Sequence, residues 1–166
     1  MSAGHPKNTL RNYQWPDKYG DWLGYRIKKI DKVRREARVE LTLREDHQSP
    51  AGRIHGGVIS GLFDFACGAA AFSTMAADDF CSTVELKVNY FRPLDAGDHL
   101  TVHSRSVFRG KRLCVVHAQL YRRGDKDPVA MATATFNIVS RTHESGPAIP
   151  LKGAGHCQRF VPHQRS

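Results

Sequence analysis

Residues 58–75 form the one long apolar run of the chain, and a single ionisable side chain, Asp64, interrupts it. The run approaches the length of a membrane span. A carboxylate near its middle and its many small residues are costly or uninformative in hydrocarbon, so it reads as a helix buried inside a globular domain. A helix that is apolar all round must be covered on nearly all sides, and the rest of the chain has to supply the cover.

What surrounds the run is strand-like. Ala37, Val39, Leu41 and Leu43 alternate with Arg38, Glu40, Thr42 and Arg44, as a half-buried strand requires, and a weaker alternation precedes it over residues 24–31. These two make a hairpin. Beyond the helix, Val84, Leu86, Val88 and Tyr90 alternate, followed by strand patterns over residues 99–109, 113–122 and 129–139. Glycine-bearing turns, Arg109-Gly110-Lys111-Arg112 and Arg123-Gly124-Asp125-Lys126-Asp127, separate the last three. Two strands, a helix and four strands predict an α+β domain, an antiparallel sheet of about six strands wrapped around one long central helix.

A chain of 166 residues suits one such domain. We expect it over residues 23–140, preceded by an arm over 1–22 with a short leading helix near its end. Residues 141–166, rich in Gly, Pro, His and basic groups, read as a flexible tail.

A formal charge of +9 favours polyanions in general: nucleic acid, an acidic membrane or a phosphorylated small molecule. No zinc-finger spacing, aromatic RNA-binding strand or long basic helix accompanies it, so no nucleic-acid partner is expected, nor a membrane one. Cys67, Cys81, Cys114 and Cys157 form no CxxC pair and the N-terminus lacks a signal-peptide core, which suits a reducing, cytoplasmic setting. His99 and His103 share a strand face without the further ligands a metal site needs. Ser60 sits in no G-x-S-x-G elbow, which argues against a serine hydrolase.

Asp64 is the chemical candidate. Burial in an apolar helix should raise its pKa, and a perturbed carboxylate in a cleft suits acid–base or nucleophilic work; capping of nearby backbone is the alternative use. His55-Gly56-Gly57 opens the helix, where free N–H groups and the dipole suit an oxyanion.

The segment Gly52-Arg53-Ile54-His55-Gly56-Gly57-Val58 followed by Asp64 resembles the phenylacetate-pathway (PaaI-like) branch of hotdog-fold acyl-CoA thioesterases. Ser82-Thr83-Val84-Glu85-Leu86-Lys87-Val88-Asn89-Tyr90-Phe91-Arg92-Pro93 is similar to that family's post-helix strand, and the segment from Val129 to Phe136 to its last strand. The resemblance implies hydrolysis of an acyl-CoA, with coenzyme A as part of the substrate and no separate cofactor. It implies that the Gly56 N–H polarises the thioester carbonyl, that Asp64 is nucleophile or general base, and that Ser82 orients the water or the carboxylate. His55 would touch the thioester or brace the loop.

Gly57 joins the substrate-binding candidates. Relatives often carry Asn or Gln three residues before the Gly that matches Gly52; here Ser49 stands there with Gln48 beside it, and either would be the second polar helper. Arg92, Arg109, Lys111 and Arg112 are the candidate cations for the CoA phosphates. A hotdog acyl-CoA dehydratase and a non-catalytic acyl-CoA-binding regulator are the competing readings. Gly56 and Asp64, eight residues apart, are separated by about 12 Å along one helix. Both acting on one carbonyl calls for a homodimer or a dimer of dimers, and the resemblance implies sites at the dimer interface.

Overall fold

The computed structural model describes residues 17–76 and 79–140; the expected tail at 141–166 and residues 1–16 of the arm lie outside the described residues. Helix α1 (Lys18–Leu23) leads. It is short because its limits are chemical: the Asp17 carboxylate accepts the Gly20 N–H at 2.8 Å, and Gly24 leaves the helix at a φ of 81°. Strands β1 (Arg26–Asp31) and β2 (Glu36–Thr42) form the expected hairpin. A 3-10 turn (Glu45–His47) leads towards the central helix α2 (Gly56–Phe72), and β3 (Asp79–Tyr90), β4 (His99–Arg109), β5 (Leu113–Arg122) and β6 (Ala130–Ser140) follow.

All pairings are antiparallel, and the six strands lie in the order β1-β2-β4-β5-β6-β3. The inward faces of the strands, among them Val39, Leu41, Val102, Val116, Ala134 and Phe136, bury Leu62, Phe63, Ala66 and Cys67 of α2. This is the hotdog fold, an α+β domain with one long helix in a curled sheet.

The helix ends at Phe72, earlier than the apolar run. The Ser73 and Thr74 hydroxyls donate to the Ala70 and Ala71 carbonyls and close the last turn. Nor is α2 covered on nearly all sides. Gly56 and Gly57 are exposed, and Ser60, Gly61, Asp64, Phe65 and Gly68 are half-buried, because β3 is the last strand of the sheet and nothing among the described residues continues past it.

Candidate active site

Two rows of α2 side chains border different neighbours. Gly61 and Phe65 face α1 and the start of β1: Phe65 stacks on Tyr25 and Tyr19, with ring centroids 4.3 and 5.9 Å apart, and the Tyr19 hydroxyl fills the space a Cβ on Gly61 would need. Gly56, Ser60 and Asp64, spaced i, i+4, i+8, form a row along β3. Beside this row the Tyr90 hydroxyl lies 2.6 Å from Ser60 Oγ and donates to the Gly56 carbonyl at 3.1 Å; nearer the middle of the helix, Thr83 Oγ1 donates to Asp64 Oδ1 at 2.7 Å.

The start of the helix is prepared by His55. Its Nδ1 accepts the Gly57 N–H at 2.9 Å, which makes it the N-cap and leaves the ring proton on Nε2. His55 therefore braces the turn. The Gly57 N–H is spent on that bond, whereas Gly56, the first helical residue, has an N–H with no intrahelical acceptor and no other partner among the described residues. The His55 N–H itself donates to the His47 carbonyl at 2.9 Å, tying the loop to a buried histidine.

Asp64 is half-buried rather than sealed, and Oδ2 has no hydrogen bond among the described residues. The nearby thiols are poor competitors for its role. Burial first, then the charges of Asp64 and Cys114, push the Cys67 thiol far up. Burial, then Cys114 and Asp64, raise Cys81 to about 11. Both are protonated near neutral pH and unsuited to attack.

Ser82, expected to orient the carboxylate, stands on the wrong face of β3. It pairs with Asn137, whereas Thr83 pairs with Phe136, whose ring belongs to the core. Adjacent strand residues point to opposite sides, so Thr83 faces α2 and Ser82 faces away from it. We expect Thr83→Val to lose about 1.5–3 kcal/mol of support to a charged group, roughly a tenfold to hundredfold drop in kcat, with Ser82→Ala near wild type. Steady-state kinetics of the two variants checks this; equal losses would return Ser82 to the site.

The candidate polar and cationic groups divide. Ser49 closes a turn, its N–H donating to the Arg53 carbonyl at 2.7 Å and its carbonyl accepting from Gly52 at 2.9 Å. Gln48 is exposed, and its backbone bridges Ile54 just ahead of Gly56. The Arg92 guanidinium is engaged with Asp125 and Asp127 at 3.7 and 3.5 Å. Arg109 turns onto the Gly110 and Lys111 carbonyls. Lys111 and Arg112 sit in the β4–β5 turn, beside the start of β3, whereas Gly56 lies against its end at Tyr90. One chain therefore does not bring these three residues to Gly56.

Two surface depressions of about 740 and 820 Å³ lie on the outer face and at one end of the sheet, and neither is lined by Gly56 or Asp64.

The thioesterase superfamily model matches residues 51–129, which spans the loop before α2, the helix and the strands up to the start of β6. A Saccharolobus solfataricus protein named "putative esterase" is 30% identical over 74% of this chain and 79% of its own length. The chain belongs to the thioesterase superfamily. Within the superfamily it is PaaI-like. The phenylacetic acid degradation protein PaaI of Thermus thermophilus, solved as a point mutant, is 26% identical with a TM-score of 0.65, over 73% of this chain and 98% of that one. A thioesterase family protein of Silicibacter pomeroyi is 28% identical with a TM-score of 0.67, over 75% and 90%. This thioesterase is thus a hydrolase of the thioester class. Among its described residues, no helix is long and apolar enough to cross a membrane.

Proposed function

We infer that this thioesterase hydrolyses an acyl-CoA to the free acid and coenzyme A, with Asp64 as nucleophile or general base and the Gly56 N–H polarising the thioester carbonyl. One observation carries the reading: an unpaired backbone donor and a carboxylate held by Thr83 share the α2 row that the edge of β3 leaves open. In the reaction the carbonyl carbon gains an oxygen as its C–S bond breaks. The carbonyl oxygen becomes negative on the way, which is where a fixed N–H stabilises most, and the sulfur leaves as CoA thiolate.

About 12 Å of helix between Gly56 and Asp64 is too far for both to serve one carbonyl. Strand β3 is long and is an edge strand, with Val84, Tyr90 and Phe91 exposed along or just past it. Such an edge invites another strand. Two copies paired antiparallel along β3 would set Gly56 of one beside Asp64 of the other, making the active unit a homodimer. Gln48, exposed just ahead of Gly56, would be the second polar contact.

The reading is tested on a panel of aromatic, medium-chain and long-chain acyl-CoA thioesters with free-thiol detection. The expected result is a kcat/KM of at least about 10⁴ M⁻¹s⁻¹ for the best acyl group. Hydration of an enoyl-CoA without thiol release would make the protein a dehydratase. Tight binding without turnover of any member would make it a regulator.

A further inference from the structure

The excess of positive charge gathers at one end of the sheet, the end that carries both the β1–β2 and the β4–β5 turns. The Ser106 N–H donates to the Arg35 carbonyl at 2.9 Å, which joins the first turn to β4, a depression of about 820 Å³ lined by Val33, Arg34, Arg105 and Val107 lies beside this contact, and the second turn projects further along β4. Lys32, Arg34 and Arg35 on the first turn and Lys111 and Arg112 on the second are all exposed. Among the described residues none of them has an ion pair.

The acids nearby are already engaged. Asp31 faces Lys29 at 3.0 Å and accepts the Val33 and Arg34 N–H groups, which shapes the first turn, and Glu36 faces Arg105 at 3.8 Å. Between the cations stand apolar side chains. Val33 is 92% exposed at the apex of its turn, and Val107, Phe108 and Leu113 are about half exposed beside the other.

Single exposed apolar side chains are ordinary on a solvated face, but here Val33, Val107, Phe108 and Leu113 are all exposed among cations that make no ion pair among the described residues. Nucleic acid would use the cations, but of the exposed apolar side chains only Phe108 could stack on a base, whereas Val33, Val107 and Leu113 could not. An anionic lipid surface uses both groups: its headgroups attract the cations, and the apolar side chains enter the boundary between headgroup and acyl chain. We propose that this end of the domain docks on anionic membrane surfaces. The proposal replaces the sequence-based expectation of no membrane partner and does not depend on which thioester is cleaved.

The test is flotation of the full chain with vesicles of phosphatidylcholine alone or with about one third phosphatidylglycerol. Binding is expected only to the anionic vesicles and should weaken as salt rises. Each cation near such a surface is worth about fivefold in partitioning, so the double variant Lys111→Glu/Arg112→Glu should bind at least about tenfold more weakly. Val33→Asp should weaken it as well. Arg123→Glu/Lys126→Glu changes the net charge equally at the opposite end of the sheet and should leave binding intact.

Failure of the wild type to float with anionic vesicles would overturn the proposal, as would an equal loss in the Arg123/Lys126 pair. So would unchanged flotation of the Lys111/Arg112 pair. If that pair instead lost affinity for single-stranded RNA or showed a raised KM for acyl-CoA, the tips would belong to nucleic acid or to the CoA phosphates.

Discussion

Replacing Asp64 by Asn is expected to lower kcat by roughly 10²–10⁴, the range for loss of a positioned acid–base group or nucleophile. The substitution keeps the shape of the side chain and an oxygen that can still accept from Thr83 Oγ1, now 2.7 Å from Oδ1. It removes the negative charge and the basic lone pair. Because Asp64 is half-buried and makes no ion pair among the described residues, the melting temperature should hardly move. An unchanged kcat would end the assignment of Asp64. With Cys67 and Cys81 held as neutral thiols by burial, no sulfur nucleophile beside it is poised to take its place. Single-turnover hydrolysis in ¹⁸O-water then tests the nucleophilic role: label in the Asp64 carboxylate marks attack by Asp64 and opening of the resulting anhydride at its aspartyl carbonyl, whereas label only in the product acid fits a base or an anhydride opened at its acyl carbonyl, two routes that hydroxylamine trapping of the anhydride distinguishes.

Strand existence was legible wherever one face meets the core and the other meets water. The bounds of β4 and β5 coincide with their alternating patterns because Leu100, Val102 and Ser104 on one strand, and Cys114, Val116, Ala118 and Leu120 on the next, all point inward. Bulges are where this reading fails. The register of β3 shifts between Thr83 and Glu85, so the inward set Leu86, Val88, Tyr90 does not extend back to Val84, which is 62% exposed, but to Thr83.

Simple alternation would put Ser82, the hydroxyl that the family resemblance implied, on the helix side of the strand and hide Thr83, and only the bulge brings Thr83 to Asp64 instead. A similar shift between Ile27 and Lys29 blurs β1 and lets Ile27 and Ile30 both pack on the core. The glycine-rich start of α2 was legible as a helix N-terminus with N–H groups to spare. Its division of labour was not, because only the Nδ1 contact decides that the Gly57 N–H caps the helix and the Gly56 N–H remains free. Tyr90 and Ser60 left no signal, since their bond joins residues that only the packing of α2 on β3 brings together.

The proposed sharing of one site between two chains predicts recovery of activity from two dead variants. Asp64→Ala removes the carboxylate. Gly56→Pro removes the N–H at the first position of the helix, where proline is well accommodated. His55 already has the extended backbone, φ −67° and ψ 131°, that a following proline demands. A Cβ at Gly56 would meet only the Tyr90 ring at 3.6 Å, an ordinary contact. Each variant alone should be close to inactive as a homodimer. After co-refolding in equal amounts, half the dimers are mixed. Each mixed dimer holds one doubly damaged site and one intact site, built from the Gly56 of the Asp64→Ala chain and the Asp64 of the Gly56→Pro chain. Activity should therefore return to roughly a quarter of wild type. Recovery near zero, with mixed dimers confirmed by native mass spectrometry, would mean that Gly56 and Asp64 do not serve the same carbonyl. In that case the donor facing Asp64 would have to come from its own chain, and the edge of β3 would need another explanation.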